Sequence, residues 1–150
     1  METSGHASDE VEVRLAVVGV HLSGQPLNGE LTERGARMLR TTRTAAGYRL
    51  YVLKGTVPPR PALAWVPGFD GPGIEVEEWM IPETAFGGLV AAVPPPLAIG
   101  TVALEDDFLV KGFLCEPHAV VSADDITAHR GWRAYLAGQS ESESQGNPSE

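Results

Sequence analysis

The chain has 150 residues and a mass of 15.9 kDa, enough for one domain that buries roughly two thirds of its unfolded surface and too little for two. Hydrophobic residues make up 43% and charged residues 21%, which excludes a fibrous or fully disordered chain, and no apolar run reaches the length of a membrane span. The net charge of −9 sits mostly at the ends: residues 1–12 and the stretch after Ala137 hold seven of the 20 acids, while residues 13–137 carry 13 acids against 11 bases, so no basic stripe is on offer to nucleic acid.

Residues 1–10 are small and acidic, without the basic start and apolar segment of a secretory signal, and predict a disordered tail. Residues 138–150 predict a second, acidic disordered tail, which leaves 11–137 as the working domain. With a single cysteine, Cys115, there is no internal disulfide framework, and the expected location is the cytoplasm.

Val11, Val13, Leu15 and Val17 alternate with polar or small residues, the period of a half-buried strand, and Val18, Gly19 and Val20 carry it toward a buried end. Gly24 and Pro26 mark a structured loop over 21–28. Asn28 is suited to cap a helix running to about Arg40, with Leu31, Met38 and Leu39 on one side and the pairs Glu30–Arg34 and Glu33–Arg37 on another. Residues 48–53 are aromatic and β-branched enough for a strand, and 61–66 suit a short second one after a proline-rich surface loop.

Residues 74–81 alternate again, with Ile74, Val76 and Glu78 toward one face and Glu75, Glu77 and Trp79 toward the other. Pro82 then opens a helix whose Phe86, Leu89, Val90 and Val93 form an amphipathic stripe, stopped by the three prolines at 94–96. Strands at about 99–104 and 108–115 flank the GluAspAsp turn at 105–107 as a hairpin, and 131–137 predicts a short helix packing Trp132 and Tyr135. Strands outnumber helices in an order that is not a regular βαβ alternation. This predicts an α+β domain whose sheet curls into a small mixed barrel with flanking helices.

His21 stands out chemically, because it ends an apolar strand and opens a glycine loop, where a rigid element presents a side chain next to loop amides. Arg43, Tyr48 and Arg49 form a second cluster: guanidinium groups grip carboxylates through paired hydrogen bonds. Arg34, Arg37 and Arg40 are assigned instead to solvated pairing with Glu30 and Glu33. Cys115, His118 and His129 lack the paired spacing of zinc sites, so no metal is expected. No glycine-rich phosphate loop follows the first strand, so no nucleotide cofactor is expected, and Ser23 stands in no GxSxG elbow.

The runs ValValGlyValHisLeuSerGlyGlnProLeuAsn at 17–28, LeuThrGluArgGlyAlaArg at 31–37, ArgThrAlaAlaGlyTyrArgLeuTyr at 43–51 and ProProProLeuAlaIleGlyThrVal at 94–102 resemble the C-terminal domain of allophanate hydrolase. LysGlyPheLeuCysGlu at 111–116, AspIleThr at 125–127 and GlyTrpArgAlaTyrLeu at 131–136 continue the likeness in order along 13–137. The resemblance implies a γ-glutamyl cyclotransferase-like fold. It also implies a part in urea or triazine breakdown, where an amidase domain hydrolyses allophanate and the C-terminal domain promotes decarboxylation of the N-carboxycarbamate product. No amidase-type glycine- and serine-rich signature occurs in these residues, so the expected substrate is one delivered by a separate amidase-family protein. Cyclotransferases carry an acid/base glutamate where this chain has Val93, which disfavours that activity.

The expected partner is thus a small carboxylate, with His21 moving a proton, Tyr48 and Glu116 orienting the reacting groups, Arg43 or Arg49 holding the carboxylate, and the Ser23–Gly24–Gln25 loop giving amide donors. The alternative is a non-catalytic accessory module that binds and stabilises an amidase-type hydrolase; a homodimer is left open.

Overall fold

The computed structural model describes residues 11–145. The tail expected at 1–10 lies outside them, as do residues 146–150. Among the described residues, eight strands form two sheets. The larger has the order β2-β5-β1-β7-β6, built from β1 (Glu12–Val17), β2 (Arg37–Arg43), β5 (Glu75–Pro82), β6 (Leu97–Ala103) and β7 (Leu109–Cys115). The smaller has the order β4-β3-β8, from β3 (Tyr48–Val52), β4 (Pro61–Trp65) and β8 (Asp124–Asp125). The helices are α1 (Gly29–Thr32), α2 (Glu83–Ala91), α3 (Pro117–Val120) and α4 (Trp132–Gln145).

β1 sits at the centre of the larger sheet, antiparallel to β5 and parallel to β7. Its last residues, Leu15, Ala16 and Val17, are buried on both faces, so the alternation of the sequence gives way to a continuous core segment. The outer strands of this sheet meet again. Thr44, just past β2, bridges Leu104, just past β6; the Ala45 N–H donates to Ala103 O at 2.9 Å and the Glu105 N–H to Arg43 O at 2.9 Å. One end of the sheet therefore curls onto itself, which removes part of the exposed edge that a flat sheet would leave.

The expected helix over 28–40 is one turn only. Gly35 adopts φ +81°, a left-handed conformation that ends the turn, and Arg37–Arg43 instead pair antiparallel with β5, with a register shift between Met38 and Arg40. A free strand edge on β5 outweighed the weak helical pattern, because backbone pairing there satisfies two strands at once. The arginines are reassigned with it. Arg34 donates to the Glu30 carbonyl at 3.0 Å, Arg37 pairs with Glu12 at 3.1 Å, and Arg40 bridges Glu78 at 2.7 Å and Asp106 at 2.8 Å. Asn28 does not cap α1; its Nδ2 donates to His21 O at 2.8 Å.

The strands expected at 48–53, 61–66 and 74–81, the helix after Pro82 and the hairpin expected from strands at about 99–104 and 108–115 are all observed, the hairpin as β6 and β7. On α2 only Leu89 is fully buried, and Val90 is exposed, so the stripe is narrower than its spacing suggests. α4 extends to Gln145, eight residues past the expected end of the domain. Glu77 and Glu78, successive residues of β5, are both buried on opposite faces. Glu78 is met by Arg14 and Arg40. No described helix is long and apolar enough to cross a membrane.

Two glycines permit the close packing that shapes the site. A Cβ at Gly19 would lie 1.9 Å from Pro61 Cγ, and one at Gly47 would lie 2.2 Å from the Trp65 ring. Without a side chain at Gly19, the start of β4 closes against the end of β1, and Arg60 comes next to His21.

Candidate functional site

His21 ends the run that begins in β1, and the loop after it is a tight set of turns. The Leu22 N–H donates to Gly19 O at 2.9 Å, Gln25 N–H to Leu22 O at 2.9 Å and Leu27 N–H to Val20 O at 2.8 Å. The imidazole is buried, stacks on Phe113 with centroids 4.6 Å apart, and places Nε2 2.7 Å from Glu30 Oε1. One proton lies in that contact. Burial, opposed by the bond and charge of Glu30 and aided by the charges of Arg60 and Arg34, holds the His21 pKa below its ordinary 6.5.

A cavity of about 70 Å³ opens at this pair. His21, Glu30 and Arg60 give it its polar wall; Leu27, Val93 and Phe113 give part of its apolar wall. Among the described residues the Arg60 guanidinium has no hydrogen bond or ion pair, while its backbone is fixed by an N–H bond to Thr56 Oγ1 at 3.0 Å and by its carbonyl accepting from Leu53 N–H at 2.9 Å. A half-buried cation with no counter-ion, next to a histidine–carboxylate pair, is what a small anionic ligand requires.

A second network fixes the loop from β5 and α4. Glu77 accepts from Ser23 N–H at 2.8 Å, Ser23 Oγ at 2.6 Å, Trp79 Nε1 at 3.1 Å and Arg133 Nη2 at 3.0 Å. Arg133 also donates to Ser23 O at 2.6 Å. Burial pushes the Glu77 carboxyl upward, but the bonds from Ser23, Trp79 and Arg133 outweigh it and hold the group below 4.5.

Of the residues expected to act, only His21 lines this cavity. The Ser23 and Gln25 amides are already bonded within the protein, and Gly24 is an exposed turn residue at φ +81°. Arg49 does not join His21, because β1 and β3 lie in different sheets, and Arg43 does not, because β5 separates β2 from β1. Arg43 is exposed at the end of β2. Arg49 donates to Asp125 at 2.9 Å and lies 3.8 Å over the Phe69 ring. The Tyr48 hydroxyl accepts the Ala103 N–H at 3.0 Å and stitches β3 to β6. Glu116 is exposed before α3, with His118 Nδ1 3.6 Å away.

Sequence reasoning misses Glu30 and Arg60: spacing puts the first on a solvated helix face and the second in a surface loop. Their signal is indirect, a carboxylate one turn beyond the His21 loop and a cation one residue before Pro61, which Gly19 admits. Among the described residues no three His, Cys, Asp or Glu side chains converge for a metal. Burial raises the Cys115 thiol, which fits a strand residue more than a nucleophile.

The model of the allophanate hydrolase C-terminal domain matches residues 13–137. The chain belongs to that family. The urea amidolyase of Saccharomyces cerevisiae is 39% identical over 136 residues, covering 89% of this chain and 7% of the relative. The allophanate hydrolase structure of Kluyveromyces lactis superposes with a TM-score of 0.83 at 36% identity, over 89% of this chain and 22% of that one. A uropathogenic E. coli-specific protein superposes with a TM-score of 0.77 at 31% identity, over 85% of this chain and 97% of that one. This allophanate hydrolase C-terminal domain chain therefore spans a small part of the first two relatives and nearly all of the third. Its α+β architecture with a curled sheet is the one that the resemblance implied, and Val93 lies in the wall of the His21 cavity.

Proposed function

We propose that this chain binds a small carboxylated nitrogen compound in the His21 cavity and promotes its decarboxylation, with N-carboxycarbamate as the substrate its family suggests. The observation that carries the reading is the meeting of the His21–Glu30 pair, 2.7 Å apart, with the unpaired Arg60 guanidinium in one cavity. Arg60 holds one carboxylate and fixes the geometry of the carbon–nitrogen bond. As that bond breaks, its electron pair passes to nitrogen, CO₂ departs, and the proton held between His21 Nε2 and Glu30 is delivered to nitrogen, leaving carbamate. Solvent then restores the proton. The donor is the protonated imidazole: burial, by lowering the His21 pKa, makes its imidazolium a stronger acid, and proton transfer leaves neutral imidazole beside Glu30. The reaction takes place in the cytoplasm, on a substrate delivered by an amidase-family enzyme.

One observation favours a second reading, an accessory module that stabilises an amidase-type enzyme: the curated relatives carry the matched region within far longer chains. The two separate in a coupled assay. An amidase turning over allophanate is supplied with this chain, and release of CO₂ and ammonia is followed. The decarboxylase reading predicts faster release with the parent and none of that gain with His21→Ala or Arg60→Ala. An equal gain with both variants means that the module reading is the right one.

A further inference from the structure

We propose that the His21 cavity continues into a second subsite that takes an apolar substituent of the bound acid, so the chain accepts branched or alkyl-substituted small dicarboxylates and their carbamate counterparts. The inference rests on the reading of Arg60 as the carboxylate anchor. A groove of about 260 Å³ lies next to the cavity, and Arg60, Pro94 and Leu97 belong to the walls of both. It is far larger than the 70 Å³ inner space, and its other walls are Leu53, Thr56, Val57 and the two remaining prolines of the 94–96 run.

Three features make it a binding surface. Val57 is 96% exposed, a β-branched apolar side chain that contributes nothing to the core. The facing wall is three consecutive prolines, whose fixed φ leaves little backbone freedom to lose on binding. The only charged residue in the groove wall is Arg60, so an acid anchored there would extend any hydrocarbon group along apolar surface. An acidic head at Arg60 and an alkyl tail against Leu53, Val57 and the prolines match the chemistry of the walls.

Malonate and butylmalonate, which share two carboxylates and differ by one alkyl chain, test this by calorimetric titration of the full chain. Burying two methylene groups is worth about tenfold in affinity, so butylmalonate should bind at least about tenfold tighter than malonate. Val57→Ser, uncharged and at an exposed position, should reduce that gain and leave malonate binding unchanged. If malonate binds and is lost with Arg60→Ala, yet butylmalonate is no tighter, the subsite is refuted while the anchor stands. A gain that persists in full in Val57→Ser also refutes it. If neither acid binds, the anchor itself is refuted, and the subsite with it.

Discussion

Two glutamates hold the loop after β1, and they do so in opposite ways. Glu77 is buried and accepts four hydrogen bonds, from Ser23, Trp79 and Arg133. Glu30 has a side chain 38% exposed and, among the described residues, His21 as its one ion-pair partner. A carboxylate with all its acceptor sites filled has nothing left to offer a ligand, so its energy goes into the fold. One that shares a single mobile proton at the edge of a cavity remains available for chemistry. The same contrast separates Arg133, bonded to Ser23 and Glu77, from Arg60, which has no partner among the described residues.

The largest effect that this contrast predicts is on stability. Glu77→Ala strands four donor groups around a buried site and should cost about 3 kcal/mol, measured by urea denaturation, whereas Glu30→Ala should cost less than about 1 kcal/mol. Because the folded Glu77 carboxyl lies below 4.5, its contribution is complete above that pH and is lost as the pH falls through the lower folded value. Glu77→Gln should therefore flatten the acid limb of the stability profile. Equal costs for Glu77→Ala and Glu30→Ala would erase the distinction between the two carboxylates.

The smallest effect falls on the residues that the sequence put forward. Arg49→Ala removes a part-exposed pair with Asp125 and a cation–π contact with Phe69, and should cost about 0.5–1 kcal/mol with no change in malonate affinity by titration. A loss of malonate binding in Arg49→Ala would move the anion site to β3 and away from Arg60.

Much of this molecule is legible in its sequence, for reasons that are local. The alternation in β1 and β5, the GluAspAsp turn between β6 and β7, and Pro82 ahead of α2 each specify an element from adjacent residues. His21 is visible because it stands where an apolar strand meets a glycine loop. β2 is not, because its conformation is decided by an open edge on β5, more than thirty residues away in the chain, against a short helical pattern. Arg60 is hidden for a related reason. Its place beside His21 depends on Gly19 admitting Pro61, a contact between two sheets that no spacing along the chain encodes. Arg43 and Arg49 look equivalent to it in type but lack that contact.

The central claim is that Arg60 and the His21–Glu30 pair together form the anion site, and a crystal structure of the chain soaked with malonate tests it most directly. The account predicts one carboxylate of malonate within hydrogen-bond distance of the Arg60 guanidinium and the rest of the molecule against His21 and Glu30. Malonate bound at Arg43 or Arg49, or an empty His21 cavity at saturating malonate, would contradict it.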